Sequence, residues 1–98
     1  MIGVIVTFRY ADEFDRARIE NIAKEARATF EGMPALRSKF FTVDEDARRA
    51  VNFYVWESED AARAFFSDAL RQRVTGLYGS EPDIEFLDVV EAVENHRS

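Results

Sequence analysis

Between Ala50 and Phe66 the chain reads AVNFYVWESEDAARAFF, an alternating aromatic strand that passes with almost no spacer into a helix. Successive strand residues point to opposite faces, so Asn52, Tyr54 and Trp56 share one face and Val51, Phe53 and Val55 the other. The second trio reads as plain core. The first is large and aromatic but ends in an amide, a phenol and an indole N–H, groups that need partners when buried. Such a face lines either a pocket for an aromatic, oxygen-bearing molecule or a subunit interface. Ser58 is the expected N-cap of the following helix, and Glu57, Glu59 and Asp60 are accounted for by its positive N-terminal end.

With 98 residues the chain is expected to form one domain over 1–98, with a core modest enough that oligomerisation is a natural way to bury more surface. Hydrophobic residues make up 47% and aromatics 13%, which marks a folded rather than a disordered chain. The net charge of −6 leaves no basic stripe to neutralise phosphates, so nucleic acid is not an expected partner. No apolar run approaches the length of a membrane span, and Met1-Ile2-Gly3-Val4 lacks a basic signal-peptide start. Cytoplasm is the default expectation. The absence of cysteine removes disulfides, thiolate nucleophiles and Cys-based metal sites, and the single histidine, His96, lies in a polar tail. No metal site and no bound cofactor are expected.

Alternation and turn residues divide the rest of the chain. Ile2 to Tyr10 is an expected strand. Asp12 is the expected cap of a helix whose apolar stripe is Ile19, Ile22, Ala23, Ala26 and Phe30, ended by Gly32 and Pro34. Leu36 to Val43 and Arg49 to Trp56 form a hairpin across the charged turn Asp44-Glu45-Asp46-Ala47, which lacks the Gly and bidentate Glu of a calcium loop. The second helix carries Ala62, Phe65, Phe66, Ala69 and Leu70 on one stripe. Gly76 to Pro82 reads as a loop holding Tyr78, and Ile84 to Val93 as the last strand. The order β-α-β-β-α-β is the ferredoxin-like α+β arrangement, a four-stranded antiparallel sheet with both helices on one face.

The faces follow from the pairing. With Asn52 across from Lys39 and Tyr54 from Arg37, the hairpin places Leu36, Ser38, Phe40, Val51, Phe53 and Val55 under the helices. Arg37, Lys39, Phe41, Asn52, Tyr54 and Trp56 then lie on the open side, joined by Ile5, Thr7 and Arg9 of the first strand, whose Val4, Val6, Phe8 and Tyr10 face the helices. An open face with that much aromatic surface calls for a cover, most simply a second copy of the sheet.

Over nearly its whole length the chain resembles the dimeric α/β-barrel superfamily, and within it the antibiotic biosynthesis monooxygenase-like proteins and monooxygenases of the YdhR type. Phe53-Tyr54-Val55-Trp56-Glu57-Ser58-Glu59-Asp60-Ala61 carries most of the resemblance, with Gly32-Met33-Pro34-Ala35-Leu36 through Thr42 and the ending Leu87-Asp88-Val89. It implies a homodimer forming a barrel, with a pocket for a small aromatic ligand. In the quinone-forming members an Asn and a Trp four residues apart on the third strand contact the substrate, and Asn52 and Trp56 match that spacing, roughly 13 Å along the strand at about 3.3 Å per residue. The chemistry implied is a cofactor-independent monooxygenation in which a deprotonated phenol or hydroquinone passes an electron to dioxygen.

Asn52 and Trp56 are therefore the expected catalytic pair, and Tyr54, Arg9, Arg37, Lys39, Phe41 and Tyr78 the expected substrate contacts. Each has a plainer role available: Trp56 as core or interface, Asn52 as a backbone partner, the three cations as solvated surface, Tyr78 as a loop anchor. The second helix has no His, which sets the chain apart from the haem-degrading branch, and no side chain stands out as a general base of near-neutral pKa. A non-catalytic binding module for an anionic aromatic metabolite, or an isomerase or cyclase in the same pocket, are the alternative functions.

Overall fold

The computed structural model describes residues 1–95; the tail reading of His96 lies outside them. The elements are β1 (Ile2–Arg9), α1 (Arg16–Phe30), β2 (Leu36–Asp44), β3 (Arg49–Trp56), α2 (Glu59–Phe65), α3 (Asp68–Tyr78) and β4 (Asp83–Asp88). They build one antiparallel sheet in the order β2-β3-β1-β4, the ferredoxin-like arrangement, with the helices on a single face. Val4, Val6 and Phe8 of β1 are buried beneath Ile19 and Ile22 of α1 and Ala62 of α2.

The hairpin turns its other side to the helices than its apolar pattern indicates. Directly opposed residues of an antiparallel pair project to the same face. Val4 opposes Tyr54, Val6 opposes Asn52 and Phe8 opposes Ala50, so the aliphatic face of β1 carries Asn52, Tyr54 and Trp56 under the helices with it. All three are buried, Asn52 at 4% exposure and Trp56 at 2%. Phe40 and Phe53, expected in the core, are 60% and 41% exposed on the open face. The pairing within the hairpin is also two residues from the expected one: Lys39 lies across from Tyr54 and Phe41 from Asn52, with Arg37 as the extra residue of a bulge between Leu36 and Ser38. Both faces of β3 are apolar, so alternation alone could not choose between them.

Helix boundaries differ in three places. Asp15, not Asp12, caps α1, accepting a hydrogen bond from Arg18 N at 3.1 Å. The expected second helix is two: α2 ends at Phe65, and Ser67 starts α3 by accepting from Leu70 N at 3.2 Å. The break lets Phe65 and Phe66 both turn inward, their rings 4.9 Å apart and nearly perpendicular. Finally, Gly76, Leu77 and Tyr78 belong to the last turn of α3 rather than to a loop. Strand β4 ends at Asp88, earlier than Val93, with no further strand among the described residues.

Gly79 closes α3 in the left-handed region at φ 74°, donating to Thr75 O at 2.9 Å. A Cβ here would meet the Arg18 guanidinium at an ordinary 3.7 Å, so the cost of a side chain is conformational. Gly79→Ala is expected to destabilise the fold by about 1–2 kcal/mol, read as a melting midpoint several degrees lower. An unchanged midpoint would show that the helix end relaxes freely, and with it the placement of Tyr78.

Candidate active site

A cavity of about 440 Å³ lies between the sheet and the helices. Val6 and Phe8 of β1, Phe41 and Lys39 of β2, and Asn52 and Tyr54 of β3 form its sheet wall. Ile22, Ala26 and Phe30 of α1 face them, with Phe65 and Phe66 at the α2–α3 break and Leu70, Val74 and Tyr78 of α3 completing the enclosure. The wall is chiefly hydrocarbon and aromatic ring, with a few convergent polar atoms, as is usual for small-molecule sites.

The first polar group is a pair. Asn52 Nδ2 donates to the Tyr78 hydroxyl at 3.1 Å. The Tyr78 ring is fixed by stacking on Phe8, centroids 3.8 Å apart and nearly parallel, and its backbone oxygen accepts from the Tyr10 hydroxyl at 2.8 Å. Because the Tyr78 oxygen accepts from Asn52, its own proton is left for an acceptor in the cavity. Burial raises the pKa of Tyr78, with the Asn52 hydrogen bond working weakly the other way, and burial raises that of Tyr54 strongly. Both phenols are therefore neutral donors at neutral pH.

The second is Lys39. Its Nζ stands 3.3 Å from the ring centroid of Phe30, 4.2 Å from Phe41 and 4.4 Å from Tyr54. Among the described residues no carboxylate forms an ion pair with it, although other basic side chains are paired, such as Arg27 with Glu31 and Arg63 with Glu59. Burial pulls its pKa down from the ordinary lysine value to about 7. The sequence offers Lys39 as a positive charge for the ligand but not as a near-neutral base; what it does not show is the ring of Phe30, the last residue of the preceding helix, closing over the amine.

The other expected contacts are distributed differently. Phe41, Tyr54 and Tyr78 line the cavity with Asn52 and Lys39. Arg9 lies on the opposite face of the sheet, paired with Asp83. Arg37, in the bulge, lines a separate groove with Lys24, Arg27 and Glu31, which meets the cavity at Phe30, Lys39 and Phe41. Trp56 is off the cavity wall, packed on Tyr54, Phe65 and Phe66 at centroid distances of 6.2, 5.1 and 6.3 Å. Its indole N–H is buried without a partner among the described residues.

Solved structures share this architecture. A monooxygenase of Streptomyces coelicolor, ActVA-Orf6, in complex with nanaomycin D, superposes with a TM-score of 0.69 at 23% identity, over 97% of this chain and 92% of that one. SnoaB, a cofactor-independent oxygenase of Streptomyces nogalater, matches with a TM-score of 0.67 at 18% identity, over 96% and 97%. A third structure, an antibiotic biosynthesis monooxygenase, gives 0.65 at 14%, over 93% and 100%. The fold is that of the antibiotic biosynthesis monooxygenases. Neither a protein-family model nor a curated protein sequence matches the chain. Among the described residues no helix is long and apolar enough to cross a membrane, and no group of three His, Asp or Glu side chains is placed to hold a metal ion.

The lowered pKa of Lys39 gives the fold a stability signature. Between about pH 7 and the ordinary lysine range the unfolded chain binds the proton that the folded chain has lost, so stability should rise with pH across that window. Below about 7 both states carry the charge and the penalty of burying it is constant. Urea unfolding of wild type is expected to show this upward slope, and Lys39→Met to flatten it and to be the more stable form below pH 7. A slope unaffected by the substitution would place the titration elsewhere.

Proposed function

We propose that this protein is a cofactor-independent monooxygenase that oxidises a small phenol- or quinol-type aromatic compound in the cavity between sheet and helices. The observation carrying the reading is an aromatic-walled cavity in which neutral donors, Asn52 and Tyr78, and an unpaired amine, Lys39, converge. The shared fold with a structure holding nanaomycin D and with a cofactor-independent oxygenase supports it. In such a reaction the ring itself is the electron donor. The ionised ring passes one electron to dioxygen, and the phenoxyl–superoxide pair joins as a peroxide anion on a ring carbon that bears hydrogen. This takes back the proton lost on ionisation, and elimination of water, with that carbon's hydrogen, leaves a carbonyl there. The protein's part is to exclude water, orient the ring, and stabilise negative charge on its oxygen.

Asn52 and Tyr78 are the proposed donors to that oxygen, with Phe41 and Tyr54 flanking the ring. Trp56 stands behind Tyr54, and we assign its ring to holding the wall. Oxygen uptake with a panel of hydroquinones and naphthohydroquinones tests the reading. Asn52→Ala is expected to lower the rate by about 10²–10³ while remaining folded, and Trp56→Phe, which keeps a ring and deletes the N–H, to lower it less. Ligand binding without oxygen uptake would instead make the chain a binding module. If Asn52→Ala leaves rate and binding intact and only lowers the melting temperature, Asn52 is structural and the reading falls.

The open face is the proposed dimer surface. Across its centre the paired residues Ile5, Phe53 and Phe40 form an apolar row, bordered by Val51, Val55 and Leu87. A second copy packed face to face would cover it and close a barrel, with an interface of about 1,200 Å² or more. Sedimentation is expected to give a dimer at micromolar concentration and Phe53→Asp a monomer. A wild-type monomer under those conditions would contradict the arrangement.

A further inference from the structure

Among the described residues Lys39 is a half-buried cation of the cavity wall that forms no ion pair. Exposed charges such as Arg71 and Arg73 at the cavity margin reach water, and Arg63 has Glu59. Lys39 instead projects from β2 into rings contributed by three elements, Phe30 of α1, Phe41 of β2 and Tyr54 of β3. The ring faces attract its ammonium form, while the loss of water disfavours it. What such a group lacks is an anion.

Among the described residues no anion is paired with it. The titratable and charged groups around it are Glu25, Arg71, Arg73 and the neutral phenols Tyr54 and Tyr78 on the cavity side, and Lys24, Arg27, Glu31 and Arg37 on the groove side. Glu31 is held by Arg27 at 2.7 Å, and neither Glu25 nor Glu31 forms an ion pair with Lys39. Desolvation thus favours the free amine before a ligand binds and rewards an arriving negative charge.

We propose that Lys39 is the proton acceptor of this site, taking the hydroxyl proton of a phenolic ligand as the free amine and then holding the phenolate as its ammonium counter-ion. The O–H bond of the ligand breaks as the third N–H bond of Nζ forms. No electron leaves either partner, so the step is complete before any oxidation. The aromatic enclosure has two parts in it. It keeps a population of free amine at neutral pH, and it excludes the water that would screen the resulting ion pair. The ligand class follows: an aromatic ring with an acidic hydroxyl, bound as its anion. The inference rests on the cavity being the phenol site proposed above, and concerns which side chain takes the proton.

The test is 3-nitrophenol, whose phenolate absorbs visible light at longer wavelength than the neutral form, with 3-nitroanisole as the partner lacking the proton. The pH is set above about 7, where Lys39 is largely the free amine, and below the pKa of the free probe. With wild type, bound 3-nitrophenol should show the phenolate band, and calorimetry in buffers of different ionisation enthalpy should find no net proton released, since Lys39 keeps it. Lys39→Met should bind 3-nitrophenol roughly thirtyfold or more weakly and without the band, while binding 3-nitroanisole as wild type does. Lys39→Arg supplies charge but no free amine, so any phenolate it holds should release close to one proton to the buffer. A neutral probe bound by wild type, or an equal phenolate band in Lys39→Met, would overturn Lys39 as acceptor while leaving the cavity reading in place. Failure of wild type to bind either probe would overturn both.

Discussion

The antiparallel pairing of β1 with β3 is the constraint from which the site follows. Val4, Val6 and Phe8 must be covered, and their partners across the ladder are Tyr54, Asn52 and Ala50. Opposed residues share a face, so covering one row covers the other. An amide and a phenol that no core needs are thereby drawn under the helices, where each requires a polar partner. Asn52 finds Tyr78, and the two stand at the back of a cavity rather than in solid packing. Continuing the same parity across β3 to β2 puts Phe41 beside Asn52 and Lys39 beside Tyr54.

The helices supply the rest by where they stop. α1 runs to Phe30, whose ring closes over Lys39 and lies 6.1 Å from Phe41 and 6.0 Å from Tyr54. The break after Phe65 allows two consecutive rings to face inward, which an unbroken helix could not do, since neighbouring residues point about 100° apart. α3 then extends to Tyr78, and the left-handed Gly79 turns the chain away immediately behind it. A cavity lined by so many rings has a low local dielectric. In it a phenol is a neutral donor and an amine loses much of its preference for the proton.

Much of this was legible in the sequence, and the rest was not for identifiable reasons. The bounds of β3 and the Ser58 cap follow from alternation and capping chemistry alone. Alternation alone groups Asn52, Tyr54, Phe41 and Lys39 on one face, because parity within a hairpin is a local property. Which side that face looks toward is a long-range property. Val51, Phe53 and Val55 are as apolar as their neighbours, so only the ladder with β1 decides it. The split between α2 and α3 had a local signal in Ser67 followed by Asp68, a second cap obscured by the apolar stripe running through it. Arg9 stands on the open face of β1, as alternation places it, and misses the cavity because the hairpin turns its other face there, while Arg37 falls in a bulge that spacing does not reveal. The character of Lys39 depends on the ring of Phe30, which the turn between α1 and β2 folds back over it, a geometry that spacing alone does not give.

Lys24 and Lys39 are the only lysines in the chain, so the protonation of Lys39 can be read directly. Protein labelled with carbon-13 at the lysine Cε positions should give two side-chain resonances to follow by NMR as pH is varied. One of them is expected to titrate with a midpoint of about 7, to disappear in Lys39→Met, and to move to a higher midpoint when a phenolic ligand fills the cavity. If the Lys39 resonance titrates in the ordinary lysine range, the ammonium is solvated, the aromatic enclosure does not govern its proton, and Lys39 is not the proton acceptor of the site.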